Sequence, residues 1–285
     1  MKMRSRLLAI LWTGLATLQA YAADYSQFEK IDVPVNAAQL KKDKAVLQEL
    51  KRDSFSAEAF EPALGKPLPY RLLSPLSPQP GVLYPVVIVL HGSGAVGDDN
   101  VSQLGAFALS WSAPAIQSRF PAYVLVPQFP ERSANYSESI KDGFLASQPG
   151  ASLGLVSQML DDFIAQHPVD TRRIYLSGFS MGASAAWNLL LHSPGKFAAS
   201  VAYSGIPPER STALQLKDVP VLIVHGNADT ENPIPPDRAM FAALQKAGAK
   251  HVYFREYEGM EHRVPADMLL DLRWREWLFA QRKAD

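Results

Sequence analysis

Seven consecutive residues, Tyr84-Pro-Val-Val-Ile-Val-Leu90, constrain the fold of this chain more than any other stretch. A strand with one wet face alternates apolar and polar residues, whereas an unbroken β-branched run suits a strand covered on both faces. Similar strands are predicted at Ala122–Pro127, Arg173–Ser177, Ala198–Tyr203, Val219–His225 and His251–Tyr257, with a short one at Tyr70–Leu73. Helical patterns lie between them. Leu153, Val156, Leu160, Phe163 and Ile164 share one face at three- and four-residue spacing, and Met181–Leu191, Pro236–Ala247 and Ala266–Ala280 follow. Strands alternating with helices over this length predict one α/β domain with a mostly parallel sheet.

The ends of the chain read differently. Residues 1–22 combine a basic start (Lys2, Arg4, Arg6), an apolar run from Leu7 to Leu18 and a small-residue ending at Ala20 and Ala22. That is the pattern of a secretory signal peptide cut before Ala23, and the run falls short of the ~20 residues a bilayer span requires. The expectation is an exported protein, periplasmic or secreted, without stable membrane insertion. Residues 23–68 read as an N-terminal lead-in with a helix from about Ala37 to Leu50, and residues 69–285 as the catalytic domain. Without the three leader cations the chain holds 25 basic against 28 acidic residues. Such a balance gives no footprint for nucleic acid. The sequence contains no cysteine, which removes thiolate catalysis, disulfides and cysteine-based zinc sites from consideration.

The sharpest chemical signal is Gly178-Phe179-Ser180-Met181-Gly182, placed between a predicted strand and a predicted helix. A nucleophile presented on so tight a strand-to-helix turn needs a strained backbone and small flanking residues, which glycines two before and two after supply. A serine hydroxyl also needs a base, and the base needs an orienting acid. After Ser180 the histidines are His192, His225, His251 and His262. The first closes the nucleophile helix, while His225 and His251 border strands and read as structural. His262 stands in the loop Glu258-Gly-Met-Glu-His262 after the last strand.

Four motifs in order, His91-Gly-Ser-Gly94, Gly178-Phe-Ser-Met-Gly182, His225-Gly-Asn-Ala-Asp229 and Gly259-Met-Glu-His262, resemble the α/β-hydrolase superfamily. The nearest flavour is the dienelactone-hydrolase and phospholipase/carboxylesterase group of serine esterases. A further likeness to secreted peptidase-like esterases lies in His91–Asn100, Val126-Pro-Gln128, Asp170–Tyr175 and Trp187. The resemblance covers roughly Pro69 to Arg282. It implies a mostly parallel sheet flanked by helices, with a small or absent lid. The superfamily order of nucleophile, acid and histidine makes Ser180 the nucleophile, Asp229 the acid and His262 the base, with Glu231 as the runner-up acid and Asp237 a surface residue of the next helix. Backbone N–H groups of Met181 and Ser93 would form the oxyanion hole, with Gly94 as the alternative to Ser93. Ala183 departs from the second glycine of many peptidase-like relatives, and Glu131–Gln148 lacks their tryptophan.

The expected activity is hydrolysis of carboxylic esters, either small molecules or acyl groups on a polymer, with no cofactor and no metal. A serine peptidase of the prolyl-oligopeptidase type and a non-catalytic binding protein are the alternatives. Gly92-Ser-Gly94-Ala-Val-Gly97 matches a dinucleotide-binding fingerprint, but the next strand ends in Val126-Pro-Gln128 without the acidic residue that fingerprint needs. No metalloprotease or calcium-loop spacing occurs. The polar stretch Pro130–Gly150 reads either as a wall of the acyl pocket or as a surface loop.

Overall fold

The computed structural model of the chain describes residues 27–32 and 37–283; the leader read at residues 1–22 lies outside them. In chain order the strands are β1 (Phe28–Asp32), β2 (Ser56–Phe60), β3 (Leu68–Leu73), β4 (Tyr84–Leu90), β5 (Tyr123–Pro127), β6 (Ala134–Ser139), β7 (Phe144–Pro149), β8 (Val169–Phe179), β9 (Ala199–Tyr203), β10 (Val221–Gly226) and β11 (Val252–Glu258). The helices are α1 (Ala37–Glu49), α2 (Ala106–Leu109), α3 (Pro114–Arg119), α4 (Gly154–Gln166), α5 (Met181–His192), α6 (Ala213–Leu216), α7 (Pro235–Lys246) and α8 (Arg273–Ala280).

Nine strands form one sheet in the order β1-β11-β10-β9-β8-β4-β5-β3-β2. The strands from β1 across to β5 pair in parallel, and β3 and β2 add antiparallel at the far edge. The run Tyr84–Leu90 is buried throughout because both of its faces are covered. Val86, Ile88 and Leu90 point into a core shared with α4, α5 and α7, whereas Val87 and Val89 point into a second core with Trp111, Ile116, Trp274 and Leu278. Val221 and Ile223 against Leu222 and Val224 repeat this division in β10. At about 25 cal/mol per Å2 of apolar surface removed from water, these two layers supply the main driving force for the fold.

The segment read as a lead-in supplies both edges of the sheet, since β1 lies beside β11 and β2 beside β3. The sheet therefore begins well before Pro69. The helix read as Ala266–Ala280 is instead a 3-10 turn at Ala266–Met268 followed by α8. Side chains capture the carbonyls between them: Trp274 Nε1 donates to Met268 (2.7 Å), and the Arg275 guanidinium donates to Leu269 (3.0 Å) and Asp271 (2.8 Å). Pro130–Gly150 is not an irregular loop, although much of it faces solvent. It folds into the hairpin β6–β7, which packs on α5, with Asn188 Nδ2 donating to Ser147 Oγ at 2.9 Å.

Candidate active site

The loops that leave β4, β8, β10 and β11 at their carboxyl ends converge, as expected where a parallel sheet presents its ligand-binding edge. Ser180 sits between β8 and α5 with φ 57° and ψ −122°, a conformation L-residues rarely adopt. Its amide donates to the Tyr203 carbonyl (2.8 Å), which anchors the turn to β9. The turn is possible only because the backbones touch. A Cβ on Gly182 would fall on the Leu90 carbonyl, and one on Gly178 on the Gly182 carbonyl.

The acid and base loops are tied to each other before their side chains meet. Ala228 N donates to Met260 O (3.1 Å), and Gly259 N donates to Asn227 Oδ1 (2.8 Å). Nδ1 of His262 then lies 2.6 Å from Oδ2 of Asp229, and Nε2 lies 2.8 Å from Oγ of Ser180. Asp229 Oδ1 accepts the amides of Glu231 (3.0 Å) and Asn232 (2.9 Å), so the carboxylate is saturated. Burial alone would raise the pKa of Asp229. Hydrogen bonds from His225, His262 and the Asn232 amide outweigh that and hold it below the usual carboxylate range. An ionised Asp229 fixes His262 in the tautomer with Nδ1–H, leaving Nε2 to take the Ser180 proton.

Glu231 is placed differently. Its Oε2 stands 3.8 Å from Nε2, the nitrogen facing Ser180, and its side chain is 74% exposed. It cannot orient the ring through Nδ1. Asp237, read as a surface residue, is buried in α7 and lies 2.7 Å from Nδ1 of His225. His225 is buried too, and its surroundings are ionic. His192 Nδ1 lies 2.8 Å from the Asn188 carbonyl at the end of α5, and His251 is exposed.

The loop after β4 contains a 3-10 turn at Ser93–Ala95. Its hydrogen bonds are donated by Ala95 to Gly92 O (3.1 Å) and by Val96 to Ser93 O (3.2 Å), so the Ser93 and Gly94 amides stand at the turn's open end. His91 sets the direction. Its Nε2 accepts the Phe129 amide (3.0 Å), so Nδ1 carries the hydrogen and donates to Gly92 O (2.8 Å). Burial lowers the pKa of His91, with the Gly92 bond opposing, and keeps the ring neutral. In a trans peptide the N–H points opposite to the C=O, so anchoring Gly92 O aims the Ser93 N–H the other way. Gly92 packs on the nucleophile turn: a Cβ there would stand 3.5 Å from the Ser180 Cβ. The Met181 amide stands at the first position of α5, where no intrahelical acceptor exists.

Next to this turn lies a cavity of about 410 Å3 lined by Gly92, Gly94, Ala106, Phe107, Phe179 and Val264, among others. Its wall is mostly apolar. The Phe179 ring centroid lies 4.9 Å from that of His262, which joins the cavity to the triad geometry. None of the sequence motifs pointed to Phe107 or Val264, which carry no periodic or glycine signal. Among the described residues no cluster of side chains is suited to hold a metal ion, and no helix is long and apolar enough to cross a membrane.

The sheet order and the strained turn that carries Ser180 decide the fold. The chain has the α/β-hydrolase fold. Within this fold, residues 141–274 match the phospholipase/carboxylesterase family model. The crystal structure of a thermostable esterase superposes with a TM-score of 0.73 at 30% identity, covering 81% of this chain and 64% of that one. A protein of Oryza sativa subsp. japonica named "probable carboxylesterase" is 24% identical over 216 residues, 68% of this chain and 87% of that protein. A bifunctional acetylxylan esterase/xylanase of Neocallimastix patriciarum is 30% identical over 114 residues, 35% of this chain. This chain spans only 17% of that enzyme's length.

Proposed function

We propose that this α/β-hydrolase is an exported serine esterase that cleaves carboxylic esters by two-step acyl transfer. The carrying observation is the unbroken line from Ser180 Oγ through His262 to Asp229, at 2.8 and 2.6 Å. His262 Nε2 takes the Ser180 proton as Oγ attacks the ester carbonyl. The Ser93 and Met181 amides receive the oxyanion. The alcohol leaves with the proton from His262, and water activated by the same nitrogen then releases the acid. Each aimed amide contributes on the order of 2–4 kcal/mol to the transition state.

The mostly apolar cavity of about 410 Å3 beside the oxyanion loop supports an ester with one modest apolar substituent. Similarity to an acetylxylan esterase supports short acyl groups on a polymer as the natural setting. Export rests on the leader pattern of residues 1–22.

The test is hydrolysis of p-nitrophenyl esters of increasing chain length, with Ser180→Ala as control. Turnover that peaks at acetate or butyrate and vanishes in Ser180→Ala supports the proposal. No ester turnover, with cleavage of peptidyl anilides, would make the chain a peptidase.

A further inference from the structure

His225 and Asp237 are fully buried, and the acyl-transfer steps give neither a role. His225 ends β10. Its Nδ1 lies 2.7 Å from Asp237 Oδ2, and its Nε2 lies 2.8 Å from the Asn232 carbonyl and 3.3 Å from Asp229 Oδ2. A carbonyl oxygen cannot donate, so Nε2 must carry a hydrogen. Between Nδ1 and Asp237 there must then be one more proton, because two acceptors cannot face each other in a buried site. The ring has acceptors on both of its nitrogens, the arrangement that favours an imidazolium. Burial alone would lower the pKa of His225, but the bonds to Asp229 and Asp237 overcome it and push it up, while burial also raises that of Asp237.

We propose that His225 and Asp237 form a second, buried histidine–carboxylate pair that positions the triad acid Asp229. Asp237 holds the ring from α7, and the ring's Nε2–H is shared between the Asn232 carbonyl and Asp229 Oδ2. Asn232 closes the arrangement: its amide donates to Asp229 Oδ1 (2.9 Å) and its Nδ2 donates to the Ser204 carbonyl (2.8 Å). The turn carrying Asp229 is therefore fixed from two strands and one helix. The proposal rests on the reading of Asp229 as the residue that orients His262.

The pair has an electrostatic consequence. A positive ring beside Asp229 offsets part of the carboxylate's charge. The other charged groups around His225 are already matched. Glu256, opposite it in the β11 register, is ion-paired with Arg238 of α7 (2.7 Å) and with Lys30 of β1 (3.7 Å). From the acid turn, Glu231 projects into solvent.

The test is Asp237→Asn, which keeps the shape and removes the charge. Its kcat per active site, counted by phosphonate titration, should fall about tenfold on a p-nitrophenyl ester with KM unchanged. The acid limb of its kcat/KM profile should move to higher pH, because a neutral His225 leaves Asp229 unopposed. An acid limb that stays or moves down, with kcat per titrated site intact, makes the pair merely structural and overturns the proposal. If the variant does not fold, 15N-histidine NMR of the wild-type protein decides. Two protonated nitrogens on the His225 ring at pH 7 are expected, and a pyridine-type nitrogen there would refute the pair. Asp229→Asn is the separate control: full activity in that variant would remove the acid reading itself.

Discussion

Ser180 Oγ stands 2.8 Å from Nε2 of His262, although 82 positions separate them in the chain. Neither residue creates that distance. Ser180 is held by the touching backbones of Gly178, Gly182 and Leu90, and His262 by the ties between the loops after β10 and β11. The distance is set by the framework, so variants of the framework and of the two residues should separate in their effects.

Gly182→Ala tests the framework. Its added Cβ would meet the Leu90 carbonyl, a backbone atom that cannot swing away. The expected cost exceeds ~2 kcal/mol, within the range of severe single substitutions. At ~2–4 °C per kcal/mol for a chain of this order, calorimetry should record a melting temperature at least ~4 °C lower. An unchanged melting temperature would mean that the strand and helix do not approach as closely as described.

The two candidate acids make opposite predictions. Asp229→Asn presents an amide to Nδ1 and favours the wrong imidazole tautomer, a change that costs on the order of 10⁴ in kcat in a serine-protease triad. Glu231→Gln alters an exposed group 3.8 Å from the other nitrogen and should change kcat less than threefold. Steady-state kinetics on one ester separates them. A larger loss at Glu231 would transfer the acid role to it.

The cavity should govern which ester is preferred. Gly105 lines it with φ −74° and ψ 176°, a backbone any residue adopts, and nothing lies within 4 Å of a Cβ there. Gly105→Leu should therefore leave stability and acetate turnover near wild type and reduce turnover of bulkier esters several-fold. Two series are needed, one varying the acyl group and one the alcohol, to show which substituent enters. A variant with an unchanged profile in both series would show that the cavity holds no substrate.

The buried ionic pair should appear in the pH dependence of stability. The folded pKa of His225 is raised to about 9, above the ordinary histidine value near 6.5. The sign follows from linkage: the contribution is complete below about pH 6.5 and is lost as pH rises through about 9. The urea midpoint should fall between pH 7 and pH 10, and Asp237→Asn should flatten that fall. A wild-type midpoint independent of pH over this range would contradict an ionised His225.

How much of this was legible in the sequence depended on whether one residue or several carried the signal. The strand at Tyr84–Leu90 was readable because burial on both faces leaves its mark on seven adjacent positions. The elbow was readable because close backbone approach forces glycine at two fixed offsets from Ser180. The edge strand Phe28–Asp32 was not, since its half-exposed sequence has neither an apolar run nor clean alternation. Helix α8 was placed too early because side chains of Trp274 and Arg275 take the carbonyls that would have continued a helix from Ala266. The role of Asp237 was hidden for a different reason. A buried carboxylate in a helix looks like any surface aspartate until its partner, twelve residues earlier, is seen behind it.

Covalent labelling shows most directly whether Ser180 is the activated nucleophile. A fluorophosphonate should add once, to the peptide containing Ser180 as read by mass spectrometry. The adduct should be absent in Ser180→Ala and form orders of magnitude more slowly in His262→Ala, both variants remaining folded. An adduct on another residue, or ester turnover that survives in Ser180→Ala, would contradict Ser180 as the nucleophile.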